Sequence, residues 1–175
     1  MDDFVYQLAA PASFGRSSKT CFAARASGLF RSDDGGENWQ SLYDSLNLSE
    51  PLPTLSVVTT PDFEHDHRLF AGIAGGVLRS ANGGLNWLSS NVPNPPPVVA
   101  ALVASPNYEQ DGVIFAATME DGVMFSSDRG DNWVAWNFGL LDLNALCLGV
   151  SPHFGQDESV FVGVQSGIFR STNGG

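Results

Sequence analysis

The sequence predicts an all-β fold, a β-propeller built of four-stranded antiparallel blades, with about 3.75 blades present. The first observation is a motif, called the box here, that reads Ser-x-[Asp/Asn]-x-Gly-x-x-Trp and recurs about every 46 residues, the period of a propeller blade. The second is composition: 43% of the 175 residues are hydrophobic, 15% are charged, and 19 glycines and 10 prolines supply many turns. Such a composition is typical of a folded domain with short strands.

Each repeat contains the same elements in the same order. Strand A is an apolar run followed by a proline, and strand B is an apolar run with phenylalanine at its second position. A glycine turn leads to strand C, the box follows, and strand D begins at the box tryptophan. No segment has the extended i, i+3, i+4 pattern of a helical solenoid. We expect one partial propeller over 1–175, with blades at about 4–48, 54–94, 98–140 and 144–175, the last without its outer strand.

The box residues are expected to form a structural turn. A Ser hydroxyl and an Asp or Asn at the third position accept backbone N–H groups, and glycine supplies a positive φ. The tryptophan packs across neighbouring strands and donates its indole N–H locally. Asn82 and Asn173 replace aspartate in two repeats, so the position needs a hydrogen-bond acceptor but does not need a charge. We therefore expect no metal there. The box residues are Ser32, Asp34, Gly36, Trp39, Ser80, Asn82, Gly84, Trp87, Ser126, Asp128, Gly130, Trp133, Ser171, Asn173 and Gly175.

The box resembles the Asp-box, or BNR repeat, of the sialidase-like propeller superfamily. Similar repeats occur in sialidases, xyloglucan-cleaving glycosidases, sortilin-type receptors and the photosystem II assembly factor. The resemblance covers residues 5–175. It implies a propeller whose B–C turns and D–A loops form the ligand-binding face. It implies no single function, because these relatives do unrelated things on the same blades.

The charge balance excludes one class of partner. Eight basic and 19 acidic residues give a net charge of −11, and such a surface repels nucleic-acid phosphates. No apolar run approaches the roughly 18 residues of a membrane span, and the acidic start of the chain lacks the basic region of a signal peptide. The compartment stays open, although the resemblance implies relatives that are often extracytoplasmic. No cofactor is expected.

Three arginines invite comparison with the sialidases that the resemblance includes, because those enzymes hold a substrate carboxylate with three arginines. Arg31, Arg79 and Arg170 occupy one repeat-equivalent position, so we expect them to point towards hairpins of separate blades. No Phe/Tyr-Arg-Ile-Pro segment, a sialidase hallmark, is present, and sialidase activity is not expected. His65 and His67 have no evident third ligand and are expected to be solvated turn residues.

Candidate binding residues lie on the loop face that the resemblance implies: Trp136, Tyr43, Asn94 and Gln165. Trp136 stands where other repeats have Leu42 and Ser90. An exposed tryptophan can stack on a sugar or anchor a partner. The alternative is that Trp136 packs against the next blade.

Two functions from different classes fit these residues. The first is a non-catalytic recognition scaffold that binds a protein, a glycan or another extended ligand on the loop face. The second is a glycoside hydrolase resembling the xyloglucan-cleaving enzymes, which needs an acid and a base roughly 6.5–9.5 Å apart for inversion. Glu120 and Asp121 are the candidate catalytic residues, and Asp44, Glu50 and Asp142 are further carboxylates on this face. No motif pairs two of them, so recognition is favoured.

The strand count predicts open blade edges, which permit self-association. Either the chain is a fragment of a longer propeller, or two chains associate edge to edge into an eight-bladed ring. A chain that ends inside a box favours the fragment.

Cys21 and Cys147 lie in apolar runs and are expected to be buried free thiols.

Overall fold

The structure is a computed structural model that describes residues 3–137 and 139–174. These residues form fifteen strands in four antiparallel sheets that follow one another along the chain. In every sheet the strands are hydrogen-bonded in sequence order, as in a propeller blade. The predicted all-β, partial propeller is confirmed.

The strands of each sheet are as follows. Blade one contains β1 (Val5–Ala9), β2 (Cys21–Arg25), β3 (Gly28–Ser32) and β4 (Gln40–Ser41). Blade two contains β5 (Thr54–Thr59), β6 (Leu69–Ile73), β7 (Gly76–Ser80) and β8 (Leu88–Ser89). Blade three contains β9 (Val98–Ala104), β10 (Ile114–Met119), β11 (Gly122–Ser126) and β12 (Val134–Ala135). Blade four contains, within the described residues, β13 (Ala145–Val150), β14 (Val160–Val164) and β15 (Gly167–Ser171).

Short helical turns connect the first two strands of blades two, three and four: α1 (Phe63–Asp66), α2 (Tyr108–Asp111) and α3 (Phe154–Asp157). Each ends with an aspartate that accepts a Ser or Thr hydroxyl and a backbone N–H; Asp66, for example, accepts Thr60 Oγ1 at 2.7 Å and Arg68 N at 2.9 Å. Asp111 and Asp157 make the same pair of bonds. The aspartate is a turn residue in all three blades.

The core lies between consecutive blades. Three clusters of buried apolar residues fill the contacts of blade one with two, two with three, and three with four. The second strand of each blade supplies the centre of its sheet, and Phe22, Phe70 and Phe115 are at most 1% exposed there. In blades two and three this strand has neighbours in its own sheet and a sheet on each face, so it is covered on every side, which accounts for its apolar run.

The two cysteines differ from the expectation of buried thiols. Cys21 is half-buried and Cys147 is exposed, and both are free. Cys147 lies on the innermost strand of blade four, and its sulfur approaches Gly163 on the side of the sheet that faces away from blade three. The prediction was wrong for Cys147 because its surroundings depend on a neighbouring blade, which strand periodicity does not report.

Candidate functional site

The connections of the blades are divided between two rims. The box turns bond to the A–B loops: Gly83 N donates to His67 O and Arg129 N donates to Gly112 O. The B–C turns bond to the D–A loops on the other rim, where Gly75 N donates to Pro97 O. Tyr43, Asn94 and Gln165 therefore lie on the rim opposite the boxes, which we call the loop face. Trp136, which the sequence also assigned to that face, lies between two blades.

Hydrogen bonds within one short turn organise each box. In blade one, Ser32 Oγ donates to Asp34 Oδ1 at 2.7 Å and accepts Gly36 N at 2.8 Å. Asp34 Oδ1 also accepts the backbone N–H groups of Glu37 and Asn38 at 3.0 Å. These bonds, led by the Asn38 N–H, hold the pKa of Asp34 well below its usual range. The carboxylate is fully engaged in holding its own turn.

Blade two makes the same turn with a neutral side chain. Asn82 Oδ1 accepts Ser80 Oγ at 2.9 Å and Asn86 N at 3.0 Å. In blade three Asp128 accepts the equivalent groups; burial alone would raise its pKa, but the N–H groups of Asn132 bring it below the usual value. In blade four Ser171 Oγ donates to Asn173 at 2.7 Å, and the predicted box residue Gly175 lies outside the described residues.

The box tryptophans do not all bond in the same way. Trp39 and Trp133 donate their indole N–H groups to Gly36 O at 3.0 Å and Gly130 O at 3.2 Å within their own boxes. Trp87 instead donates to Leu42 O of blade one at 2.9 Å. The expectation of a local acceptor was therefore wrong for Trp87, whose buried ring joins two blades.

The arginines that precede the boxes reach the box of the following blade. Arg31 Nη1 donates to Gly83 O at 3.1 Å, and Arg79 forms an ion pair with Asp131. Each therefore points to a separate hairpin, as the repeat predicts, and no shared carboxylate pocket forms. Arg170 lies over the ring of Phe161, 5.5 Å from its centroid, on the exposed side of blade four.

Trp136 lies between blades three and four. Its ring packs against Phe125 at a centroid distance of 4.6 Å, and its indole N–H donates to Gly174 O at 2.8 Å. With Phe115 and Leu140 it lines a small apolar cavity of about 100 Å³. Trp136 is half-buried and hydrogen-bonded to the next blade. It therefore packs against that blade, which is the alternative that the sequence left open.

A cleft of about 450 Å³ opens on the loop face beside blade one. It is bounded by the glycine turn of blade one and the long connection to blade two, and its lining includes Ser27, Ser41, Asp44, Asn47, Leu48 and Glu50. Leu48 is 46% exposed, so the cleft combines an accessible apolar side chain with two carboxylates and several hydroxyl and amide groups.

Tyr43 forms a rigid wall of this cleft. The side chain is only 6% exposed, its hydroxyl is 2.8 Å from Thr54 Oγ1, and its ring packs edge-to-face with Trp87. Burial raises the pKa of Tyr43 to about 12, so the hydroxyl stays neutral. An added Cβ at Gly28 would lie 3.4 Å from the Tyr43 ring, so the turn packs closely behind it. Tyr43 is thus a support and offers little surface to a ligand.

The other sequence candidates lie apart from this cleft. Glu120 and Asp121 occupy the exposed turn between β10 and β11, where Glu120 has φ 73°. Asn94 and Gln165 are exposed on other loops. Asp142 is engaged by Ser166 N at 2.8 Å and Asn144 N at 2.9 Å, and hydrogen bonding from Ser166 leads in lowering its pKa.

Of the sequence candidates, the cleft brings together Tyr43, Asp44 and Glu50. Sequence reasoning did not single out Asn47 or Leu48. The available signal was the greater length of the connection after the first box, which marked the loop without marking its residues.

Within 3–137 and 139–174, no group of three or more His, Cys, Asp or Glu side chains is arranged to hold a metal ion. His65 is exposed and pairs with Asp62, which raises the pKa of the imidazole. No helix in the described part of the chain is long and apolar enough to cross a bilayer.

No protein-family model matches this chain, and no curated protein matches it in sequence. Solved structures do resemble it. An ancestral GH74 enzyme aligns over 98% of this chain with a TM-score of 0.71 and 20% identity, and the GH74 xyloglucanase from Xanthomonas campestris over 95% with 0.70 and 16%. YCF48 bound to D1 peptide aligns over 92% with 0.60 and 16% identity.

These resemblances identify the fold as a β-propeller and no more, because the identities are low. The chain covers 23% and 27% of the two GH74 chains and 49% of the YCF48 chain. It therefore spans about a quarter to a half of these structures. The WD40 β-propeller domain of Doa1, at 11% identity and a TM-score of 0.64, has the same fold.

Proposed function

We propose that the chain is a recognition module of the Asp-box type that binds an extended peptide segment in the cleft on its loop face. The observation that carries this proposal is the cleft itself, a preformed groove with polar walls and an accessible leucine. An extended peptide presents apolar and polar side chains alternately, and it needs backbone hydrogen-bond partners. Leu48 provides an apolar contact, and the hydroxyl and amide groups beside it provide hydrogen-bond partners.

Charge defines the class of peptide. Asp44 and Glu50 line the same cleft, and the whole chain carries a net charge of −11. Such a field attracts cations and raises the association rate of a basic partner. The expected ligand is therefore a segment with Lys or Arg residues beside an apolar anchor.

The rigid wall of the cleft favours binding. Tyr43 is fixed by Thr54 and by the edge of Trp87, so little side-chain entropy is lost on that side when a ligand is ordered. A peptide complex is also known for one similar propeller, since YCF48 has been solved with D1 peptide. That likeness supports a peptide ligand as a hypothesis for this chain.

The proposal is tested with a fluorescent peptide of alternating Lys and Val residues, measured by anisotropy. The Lys peptide is expected to bind, and the same peptide with Glu in place of Lys is not. Asp44→Asn with Glu50→Gln should weaken binding about tenfold or more, because two charges close to the ligand are lost. Glu120→Gln with Asp121→Asn removes the same charge from a distant turn and is the matched control. If the two double variants weakened binding equally, the binding would be nonspecific electrostatic attraction, and the proposed binding site in the cleft would be wrong.

A second candidate is glycoside hydrolysis, favoured by the presence of Asp44 and Glu50 in one cleft. Inverting glycosidases use two carboxylates across a substrate groove. The test is reducing-sugar release from xyloglucan, with Asp44→Asn and Glu50→Gln as single variants and Glu120→Gln and Asp121→Asn as further ones. Turnover that depends on either pair of carboxylates would replace the recognition proposal by an enzymatic one.

A further inference from the structure

The long connection between blades one and two contains a modification pattern that occurs nowhere else in the sequence. Of the eleven asparagines, only Asn47 has a serine or threonine two positions later, Ser49, and the residue between them, Leu48, is not proline. Asn-x-Ser is the acceptor pattern for N-linked glycosylation. One such triplet can arise from composition alone, so its meaning depends on where the fold places it.

The fold places this triplet outside the strands and helices of the described chain. A 3₁₀ turn, Asp44–Leu46, ends at Asn47, whose backbone is left-handed with φ 48° and ψ 44°. Among residues other than glycine, asparagine is one of the few that adopt this conformation routinely. Asn47, Leu48 and Ser49 are all exposed. A modifying enzyme therefore reaches the triplet in the folded chain without opening a sheet.

The acceptor amide is also free to react, unlike several other asparagine side chains. Asn38 and Asn132 donate their Nδ2 groups to box aspartates at 2.7 Å, and Asn137 donates to a backbone carbonyl at 2.8 Å. Asn47 bonds through its backbone N–H, which donates to Asp44 O at 3.3 Å. Within the described part of the chain, the Asn47 amide and the Ser49 hydroxyl make no side-chain hydrogen bond that would compete with an enzyme.

Glycosylation needs one co-reactant, an oligosaccharide linked to a polyprenyl diphosphate. Asn47 Nδ2 bonds to C1 of the first sugar as the bond from C1 to the diphosphate oxygen breaks. The polyprenyl diphosphate leaves with the electron pair of that bond, and the amide nitrogen loses one proton. An oligosaccharyltransferase recognises the hydroxyl at the third position of the triplet, which Ser49 supplies.

A glycan on Asn47 would lie at the cleft of the loop face. Asn47 and Leu48 line that cleft together with Asp44 and Glu50. The cleft holds about 450 Å³, and an attached glycan is bulky and hydrated. Carried by the lining itself, it would cover the Leu48 side chain and fill the volume that a peptide needs.

We propose that Asn47 is an acceptor for N-linked glycosylation in the folded chain, and that its glycan closes the cleft to peptides. The second statement rests on the proposed function, whereas the first depends only on the triplet and its exposure. Glycosylation would thus switch off the recognition site without a change in fold.

The acceptor is tested by producing the chain in the secretory pathway of human cells. Intact mass, measured before and after treatment with a glycan-removing amidase, reports the occupancy of Asn47. The parent chain and Ser49→Thr are expected to carry a glycan, and Ser49→Ala is not. Ser45→Ala removes an exposed hydroxyl from the same loop but outside the triplet, and is the matched control. An unmodified Asn47 in the folded, secreted parent chain would overturn the proposal.

Closure of the cleft is measured with the Lys and Val peptide. A glycan at Asn47 is expected to weaken peptide binding about tenfold or more, because it occupies the binding volume. The matched control is Arg16→Asn in the Ser49→Ala chain, which moves the acceptor triplet to an exposed loop on the box rim. A glycan there should leave the Kd for the peptide unchanged. Equal weakening by the two glycans would contradict closure of the cleft.

A second readout does not depend on the peptide. Leu48→Cys keeps the acceptor triplet, and with the two native cysteines replaced by alanine it reports access to the cleft through labelling by a polymer-linked maleimide. The glycan at Asn47 is expected to slow this labelling about tenfold or more. Slower labelling in a chain whose unmodified form binds no peptide would support closure and contradict the proposed function. Labelling at an unchanged rate would show that the glycan leaves the cleft open, and closure would be wrong.

Discussion

Blades two and four contain nearly the same strand residues in different surroundings. Phe70 and Phe161 occupy the same station of the second strand, yet they are 1% and 42% exposed. Gly72 and Gly163 are likewise equivalent, but an added Cβ would collide with Val99 of the next blade only at Gly72. The difference shows that the burial of a repeat position depends on the neighbouring blade as well as on its own sheet.

This comparison explains where stability is expected to reside. Packing free energy depends on the apolar area removed from water and on how completely the cavity is filled. A side chain at a position between two blades satisfies both conditions, and the same side chain on an open face satisfies neither. Equivalent substitutions in the two settings should therefore have unequal effects.

The largest effect is expected at the central phenylalanine. Phe115→Ala removes a fully buried ring that contacts Phe125 and Phe154, at centroid distances of 5.3 and 5.7 Å. The free energy of unfolding should fall by about 3–5 kcal/mol, as for other buried aromatic truncations. Phe161→Ala should cost less than half as much in the monomer. Urea unfolding followed by circular dichroism measures both, and equal losses would contradict the contrast between covered and open stations.

A smaller effect is expected when a methyl group is added instead of a ring removed. Gly72→Ala is made in a Ser56→Ala background, because the Ser56 hydroxyl of the same blade would be the nearest atom to the added Cβ. That Cβ would then lie 2.6 Å from Val99 Cγ1 and 2.9 Å from the Val99 carbonyl oxygen of the next blade. Backbone must move to relieve this contact, so we expect a loss of about 1–3 kcal/mol in the free energy of unfolding.

Gly163→Ala is the matched control for that variant, because its Cβ would meet only the Cys147 sulfur. With Cys147→Ala added to remove that contact, monomer stability should be nearly unchanged. A Gly163 variant as unstable as Gly72→Ala would indicate that the position is restricted by its own blade.

The sequence predicted those features that repeat within each blade. Blade period, strand order and box turn all depend on local patterns, such as the glycines at positive φ and the Ser and Asp side chains that bond within a few residues. Interactions across a blade boundary were largely not predicted, and the packing of Trp136 on the next blade was one of two alternatives. The indole N–H of Trp87 donates to the carbonyl oxygen of Leu42, 45 residues earlier. Cys147 is exposed because no other described blade covers its side of the sheet. Neither feature can be deduced from a local sequence pattern.

The candidate cleft was predicted only in part, for a related reason. Its location follows from a connection that departs from the repeat, but its shape depends on how that connection folds back on the first glycine turn. Tyr43 illustrates the difference. Its place in the loop suggested a ligand contact, whereas its hydroxyl is bonded to Thr54 and its ring is buried.

Arg79 and Arg170, which precede the boxes of blades two and four, differ in the same way, with a smaller effect on stability. Arg79 pairs with Asp131 across a covered boundary, and its side chain is 28% exposed. Arg79→Met keeps most of the apolar stem and removes the charge, and we expect a loss of about 0.5–1 kcal/mol. Arg170→Met should leave the unfolding free energy of the monomer unchanged. Chemical denaturation in low and high salt checks both, and a salt-independent loss for Arg79→Met would assign the effect to packing.

The smallest expected effect distinguishes the charged box of blade one from the neutral box of blade two. The pKa of Asp34 is lowered in the folded chain, chiefly by the Asn38 N–H. A carboxyl group with a lower pKa in the folded state adds stability above its unfolded pKa of about 3.9, and that stability is lost as pH falls towards the folded value. Asp34→Asn, which copies Asn82, should therefore reduce the drop in urea midpoint between pH 7 and pH 3. Asn82→Asp should enlarge that drop, because it adds a carboxylate with the same donors. If Asp34→Asn kept the full acid sensitivity of the parent chain, the box carboxylates would not be its source, and the other aspartates with lowered pKa, Asp142 and Asp157, would be the next to replace.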